Sequence, residues 1–153
     1  MAYGTTTAIR ETGVADGRFV ACLAKAAQVF KKGDIVVIDA TDGLAYKAYA
    51  DAGYANGDIF AGIANDSKIA AAGDTDTIVV DTEGIHELTI AATNQATAVG
   101  RPVYHEIGEG TAQTVTLTAP APYLRIGIVT GLVSTTKVLV DIEGFLNIAA
   151  GAD

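Results

Sequence analysis

Ile78-Val79-Val80-Asp81-Thr82-Glu83-Gly84-Ile85 returns further along the chain as Val138-Leu139-Val140-Asp141-Ile142-Glu143-Gly144-Phe145. Each stretch opens on aliphatic residues that suit a strand and leaves through Asp-x-Glu-Gly, where glycine relieves a corner. Working outward, Gly33-Asp34-Ile35-Val36-Val37 and then Gly62-Ile63-Ala64 precede the first stretch. Gly100-Arg101-Pro102-Val103-Tyr104 and then Gly127-Ile128-Val129 precede the second, in the same order and at a nearly constant offset. The expectation is an internal duplication. Each copy enters a strand from a tight glycine turn and crosses at Gly-Ile, where glycine permits a bend or a close backbone approach.

The rest of the chain speaks the same language. Val, Ile, Thr and Tyr fill segments punctuated by Gly with Asp, Asn or Thr, the pattern of short strands joined by turns. Candidate strands are 34–39, 77–81, 113–118, 124–129 and 137–142. In Gln113-Thr114-Val115-Thr116-Leu117-Thr118 the apolar residues alternate with threonines, as on a strand with one buried face. Ala21 to Phe30 reads as a strand followed by a turn at Lys31-Lys32-Gly33-Asp34. A short helical turn is allowed near Ala50-Asp51-Ala52 or Thr93-Asn94-Gln95-Ala96. The fold class expected is all-β: a compact β-barrel built from two pseudo-repeated halves that close on one core, which removes exposed sheet edges. Residues 18–153 form that single barrel domain. Residues 1–17, short on apolar side chains and rich in turn formers, read as an extended N-terminal arm. Tyr3, Ile9, Arg10 and Val14 are its candidate partner-binding residues.

Composition narrows the function. Half of the 153 residues are apolar, mean hydropathy is +0.32 and the formal net charge is -8. Disorder over most of the chain is not expected, and wide subunit contact is. Nucleic acid is not an expected partner, because phosphate contacts need clustered Lys and Arg. The basic residues are scattered, apart from Lys31-Lys32. No apolar run approaches the ~20 residues that span a bilayer, and the first residues lack the basic and apolar segments of a secretory signal. The single cysteine, Cys22, cannot form an internal disulfide and reads as a small buried apolar residue.

A search for chemistry finds little. Ser67 and Ser134 stand outside Gly-x-Ser-x-Gly and read as turn serines. His86 and His105 lack metal-ligand spacing and are expected to project from strands to solvent or an interface. Asp39-Ala40-Thr41-Asp42-Gly43 and Gly73-Asp74-Thr75-Asp76-Thr77 look faintly like calcium loops, without the full ligand series. Asx-turns explain them more simply, and whether Asp74 and Asp76 hold a cation stays open. Glu83 and Glu143 could be imagined as a glycosidase pair, but as equivalent corners of a repeat they are expected to lie apart. No catalytic residue, cofactor site or metal site is expected, and the chain does not read as an enzyme.

An ordered set of short motifs resembles the capsid decoration, or head cement, proteins of tailed bacteriophages. The set runs through Lys31-Lys32-Gly33-Asp34-Ile35-Val36, Phe60-Ala61-Gly62-Ile63-Ala64, Ala71-Ala72-Gly73-Asp74 and Asp81-Thr82-Glu83-Gly84-Ile85. It continues in Val99-Gly100-Arg101-Pro102-Val103-Tyr104 and Arg125-Ile126-Gly127-Ile128-Val129. The likeness covers about residues 30 to 148. It implies a tulip-like β-barrel, a homotrimer, and attachment to the major capsid protein on the outer face of the expanded head. The implied positions are three-fold and quasi-three-fold, and the implied role is to resist internal DNA pressure. Some members grip neighbours with an N-terminal arm. The tryptophan that follows Pro-Val-Tyr in many relatives is replaced here by His105. The alternative is a tail, fibre or adhesin-type β module that binds a cell-surface ligand, though the absence of Trp counts against sugar stacking.

Overall fold

In the computed structural model, residues 18–48, 57–70, 76–106, 113–119 and 124–146 are described. The elements, in chain order, are β1 (Phe19–Leu23), β2 (Val29–Phe30), β3 (Ile35–Ile38), β4 (Ala45–Lys47), β5 (Ile59–Ala64), β6 (Lys68–Ile69) and β7 (Thr77–Asp81). There follow β8 (Glu83–Ile90), α1 (Gln95–Ala98), β9 (Pro102–His105), β10 (Thr114–Thr116), β11 (Arg125–Ser134) and β12 (Lys137–Glu143). The fold is all-β with one short helix among the described residues. That helix falls beside the expected turn at Thr93–Ala96, because the Asn94 side chain accepts the Thr97 N–H and caps it. The other allowed helical turn, near Ala50, lies outside the described residues.

The duplication is real at the level of hydrogen-bond register. Strands β1-β7-β5-β3-β4 form one five-stranded sheet, and β8-β12-β11-β9-β10 form a closed barrel in the same circular order. Ile63 lies opposite Asp81 as Ile128 lies opposite Asp141. The β3–β5 register slips between Val36 and Val37, and the β9–β11 register slips at the matching point between Val103 and Tyr104. Gly33 donates to the Ala64 carbonyl and Gly100 to the Val129 carbonyl, each from a left-handed turn with φ of 96° and 83°. At the crossing, Gly62 and Gly127 both sit against the main chain of the facing aspartate. The glycines foreseen in the sequence are there because two backbones meet.

The expected barrel closes within the second copy alone, while the first copy is a five-stranded sheet whose edge strands approach each other. In the second copy, β10 runs parallel to β8 through Thr114–Thr89 and Val115–Ile90 and shuts the barrel. In the first, the corresponding contact shrinks to one parallel bridge, Ala24–Ala45. The copies are also phased earlier than the motifs suggest. Phe19 lies opposite Asp81 and Ile85 opposite Asp141, so Gly84-Ile85 begins the second copy rather than ending the first.

The interiors are filled unequally. Cys22, Ala24, Ala45 and Ala64 line the first copy, where register places Leu88, Ile90, Val115 and Val129 in the second. Phe30, 1 % exposed, packs among those small residues. The other face of the first sheet, with Ile35, Val37, Tyr46, Phe60 and Ile63, joins the core of the second barrel. Alternation makes this possible, since successive strand residues point to opposite faces. Gln113 fastens the two units: its side chain accepts the Ile35 N–H and donates to the Ala48 carbonyl.

Candidate partner-binding surface

The chain leaves residues 1–17 and enters the first barrel at Arg18, which is held firmly. Its Nε and Nη2 donate to the two oxygens of Asp81, each at 2.8 Å. Its carbonyl accepts from the Thr82 N–H and hydroxyl, and its guanidinium lies 5.4 Å from the centre of the Phe19 ring. Burial by itself would raise the Asp81 carboxyl. The Arg18 hydrogen bonds, the Glu83 N–H and the nearby positive charge together outweigh it and hold the carboxyl below its ordinary value. His86 Nε2 approaches the same carboxylate at 3.2 Å. One buried aspartate thus joins the root of residues 1–17 to the first strand of each copy.

Beyond Arg18, the outward face of β1 and β7 is apolar. Phe19 is 53 % and Leu23 48 % exposed, with Ala21 between them and Asp81, Val79 and Thr77 opposite, the Asp81 carboxylate being buried on Arg18. Half-exposed apolar side chains of this size on one strand face form a contiguous patch of the kind that marks interaction surfaces. The same positions in the second copy are different in kind. Ile85, Glu87 and Thr89 on β8 face Asp141, Leu139 and Lys137 on β12. Duplication has therefore produced one apolar face and one charged face from one backbone plan. The sequence did not single out Phe19 and Leu23, because every residue of Phe19-Val20-Ala21-Cys22-Leu23 is apolar and no alternation tells inside from outside. Tyr3, Ile9, Arg10 and Val14 lie outside the described residues.

Among the described residues, the cysteine, serines and histidines weighed for chemistry fall in structural settings. Cys22 is buried, which pushes its thiol up to about 11. Ser134 accepts the Thr136 N–H, the turn role expected of it, whereas Ser67 accepts the Lys32 N–H from a distant loop. His105, expected to project outward, is instead fully buried; it shares the inward face of β9 with Val103. His86 faces Asp81 with a side chain only 20 % exposed, rather than reaching into solvent.

The carboxylates behave likewise. Asp39 and Asp42 make the expected Asx-turns, accepting the Thr41 and Leu44 N–H groups. The centre of that loop is taken by Lys25, whose Nζ lies 2.8 Å from each carboxylate. The shared ammonium lowers both carboxyls and raises the lysine above its ordinary value. Asp74 lies outside the described residues, and Asp76 pairs with Lys68 at 3.5 Å. Among the described residues, no cluster of His, Cys, Asp and Glu is grouped to hold a metal ion. Glu83 and Glu143, expected to lie apart, stand directly opposite each other on β8 and β12, because the end of one copy is the start of the next. Glu143 is balanced by Arg125 at 3.2 Å.

No helix among the described residues is long and apolar enough to cross a membrane. No protein-family model matches this chain, and neither curated proteins nor solved structures show significant similarity to it.

Proposed function

We propose that this protein is a virion structural protein, a decoration or cement protein for the head of a tailed bacteriophage. It binds the major capsid protein on the outer surface of the expanded shell through residues 1–17 and the apolar β1–β7 face, and it acts as a homotrimer at three-fold and quasi-three-fold positions. The observation that carries this reading is the continuity between the two parts. Arg18 is pinned to Asp81 at the point where residues 1–17 join the barrel, and Phe19 and Leu23 stand exposed immediately beyond it. A fixed root beside an exposed apolar face transmits a pull on residues 1–17 to the barrel. The net charge of -8 suits a place outside the shell, away from packaged DNA. Many weak copies attached at several points hold a lattice without turnover.

Co-sedimentation with undecorated heads tests the reading. The full chain should pellet with expanded shells and make them more resistant to heat; failure to pellet at any concentration overturns it. Removal of residues 1–17, and separately Phe19→Asp with Leu23→Asp, should each weaken capture at least tenfold. Light scattering on isolated protein and on released shell complexes reads the trimer.

A further inference from the structure

We propose that the first barrel is a gated barrel: its seam between β1 and β4 opens while the second barrel stays shut, and Lys25 is the latch. This goes beyond the proposed function and does not depend on it.

The duplicated architecture provides the comparison within one chain. In the second copy the seam carries two ladder positions, Thr89–Thr114 and Ile90–Val115, and is backed by bulky interior residues. In the first copy the ladder is reduced to Ala24–Ala45, with the Lys25 N–H donating to the Ala45 carbonyl. Behind it stand Cys22, Ala24, Ala45 and Ala64, which offer less apolar area to hold the edges together. Along the same seam runs an open groove of ≈ 350 Å³ lined by Val20, Cys22, Leu23, Ile38, Gly43 and Phe145. Phe145 holds a left-handed φ of 62° there, a conformation costly for an aromatic residue.

A bridge across the outside of this weak seam is the one formed by Lys25. It stands two residues past the end of β1 and reaches Asp39 and Asp42, both on the turn between β3 and β4. The turn is pre-shaped for it by the two Asx-turns and by Gly43, whose N–H donates to the Asp39 carbonyl. The second copy has Ala91 where the first has Lys25, and it closes by ladder and packing instead. The latch is exposed, so its hold is modest and sensitive to salt. That suits a seam that opens locally, without global unfolding.

Cys22 is the only thiol in the chain and is 7 % exposed against the groove beside the seam, so the change in its labelling on loosening Lys25 reports the seam. With the full-length protein and a disulfide reagent under native conditions, labelling of Cys22 should exceed the rate set by global unfolding. Lys25→Met should accelerate it about two- to tenfold, and 1 M NaCl should accelerate the parent protein but not the variant. In a Cys22→Ala background, a Leu88→Cys thiol behind the second seam should label only at the global unfolding rate and should not respond to Lys25→Met. Amide exchange on the unsubstituted protein adds a reading free of mutation: the Lys25 amide, which donates across the first seam to the Ala45 carbonyl, should exchange faster than the rate set by global unfolding. Labelling of Cys22 at the global rate, equal acceleration at both seams, or no response to Lys25→Met would each overturn the proposal.

Discussion

Gly127 packs so closely on Asp141 that a Cβ on the glycine would stand 2.1 Å from the aspartate's carbonyl oxygen. Gly62 meets Asp81 in the same way at 2.3 Å, so the contact belongs to the fold plan and not to one copy. Because the obstacle is backbone, no side-chain rotation relieves it. Gly127→Ala should cost about 3 kcal/mol or more. Gly131→Ala, whose Cβ would find only the Leu139 Cδ1 at 3.8 Å, should cost far less. Urea denaturation of the two variants reads the difference.

Gln113 ties the second barrel to the first through two main-chain groups, the Ile35 N–H and the Ala48 carbonyl. Gln113→Ala strands both of them in a partly buried place. It should lower stability by about 1–3 kcal/mol. Gln113→Glu should keep the accepting half and lose the donating half, falling between alanine and the parent in a chemical melt.

Acid should weaken the fold through Asp81, Asp39 and Asp42. All three carboxyls are held below their ordinary value in the folded chain. The stability they contribute is present above the unfolded carboxylate value of about 4 and is lost as pH falls through the lower folded values. Urea midpoints should therefore fall on acidification below about pH 4. Asp81→Asn should flatten part of that fall and cost about 1–3 kcal/mol at neutral pH, the lower end reflecting the exposure of Arg18.

Glu83 and Glu143 are like charges placed opposite each other, with Arg125 relieving only Glu143. Cross-strand repulsion of this kind is worth about 0.2–1 kcal/mol. Glu83→Gln should raise stability by that order. Arg125→Ala should lower it, and the double variant should recover part of the loss. A thermal-melt double-mutant cycle, repeated at high salt where the coupling should shrink, measures it.

The unequal interiors predict that opposite changes of size at matched positions both cost stability. Val115→Ala opens space in the closed barrel and should cost about 2–3 kcal/mol. Ala45→Val at the equivalent place crowds Phe30 and should cost about 1–3 kcal/mol. If the first barrel absorbs the added methyls without loss, its interior is loosely packed. Denaturant midpoints distinguish the cases.

Much of this was legible in the chain. Repetition of Gly-x-x-Val, Gly-Ile and Val-Asp-x-Glu-Gly is local, and each motif reports a local need: a turn, a crossing of two backbones, a corner. Strand positions such as Thr77–Asp81 and Lys137–Glu143 follow from β-branched runs between turn signals. By itself the sequence therefore determined an all-β chain with an internal duplication, turns where Asp and Gly stand together, and a buried thiol.

Tertiary structure decided what no local pattern encodes. Whether β4 or β10 reaches the first strand of its copy depends on a contact between distant segments, and on interior volume at Ala24 and Ala45 against Ile90 and Val115. That is why two copies of one plan gave a closed barrel and a seam whose ladder has shrunk to one position, Ala24–Ala45. The burial of His105, the pairing of Glu83 with Glu143 and the capture of Lys25 by Asp39 and Asp42 have the same origin. A side chain's chemistry is written in its residue type, but its partner is chosen by which strands the closing sheet brings alongside.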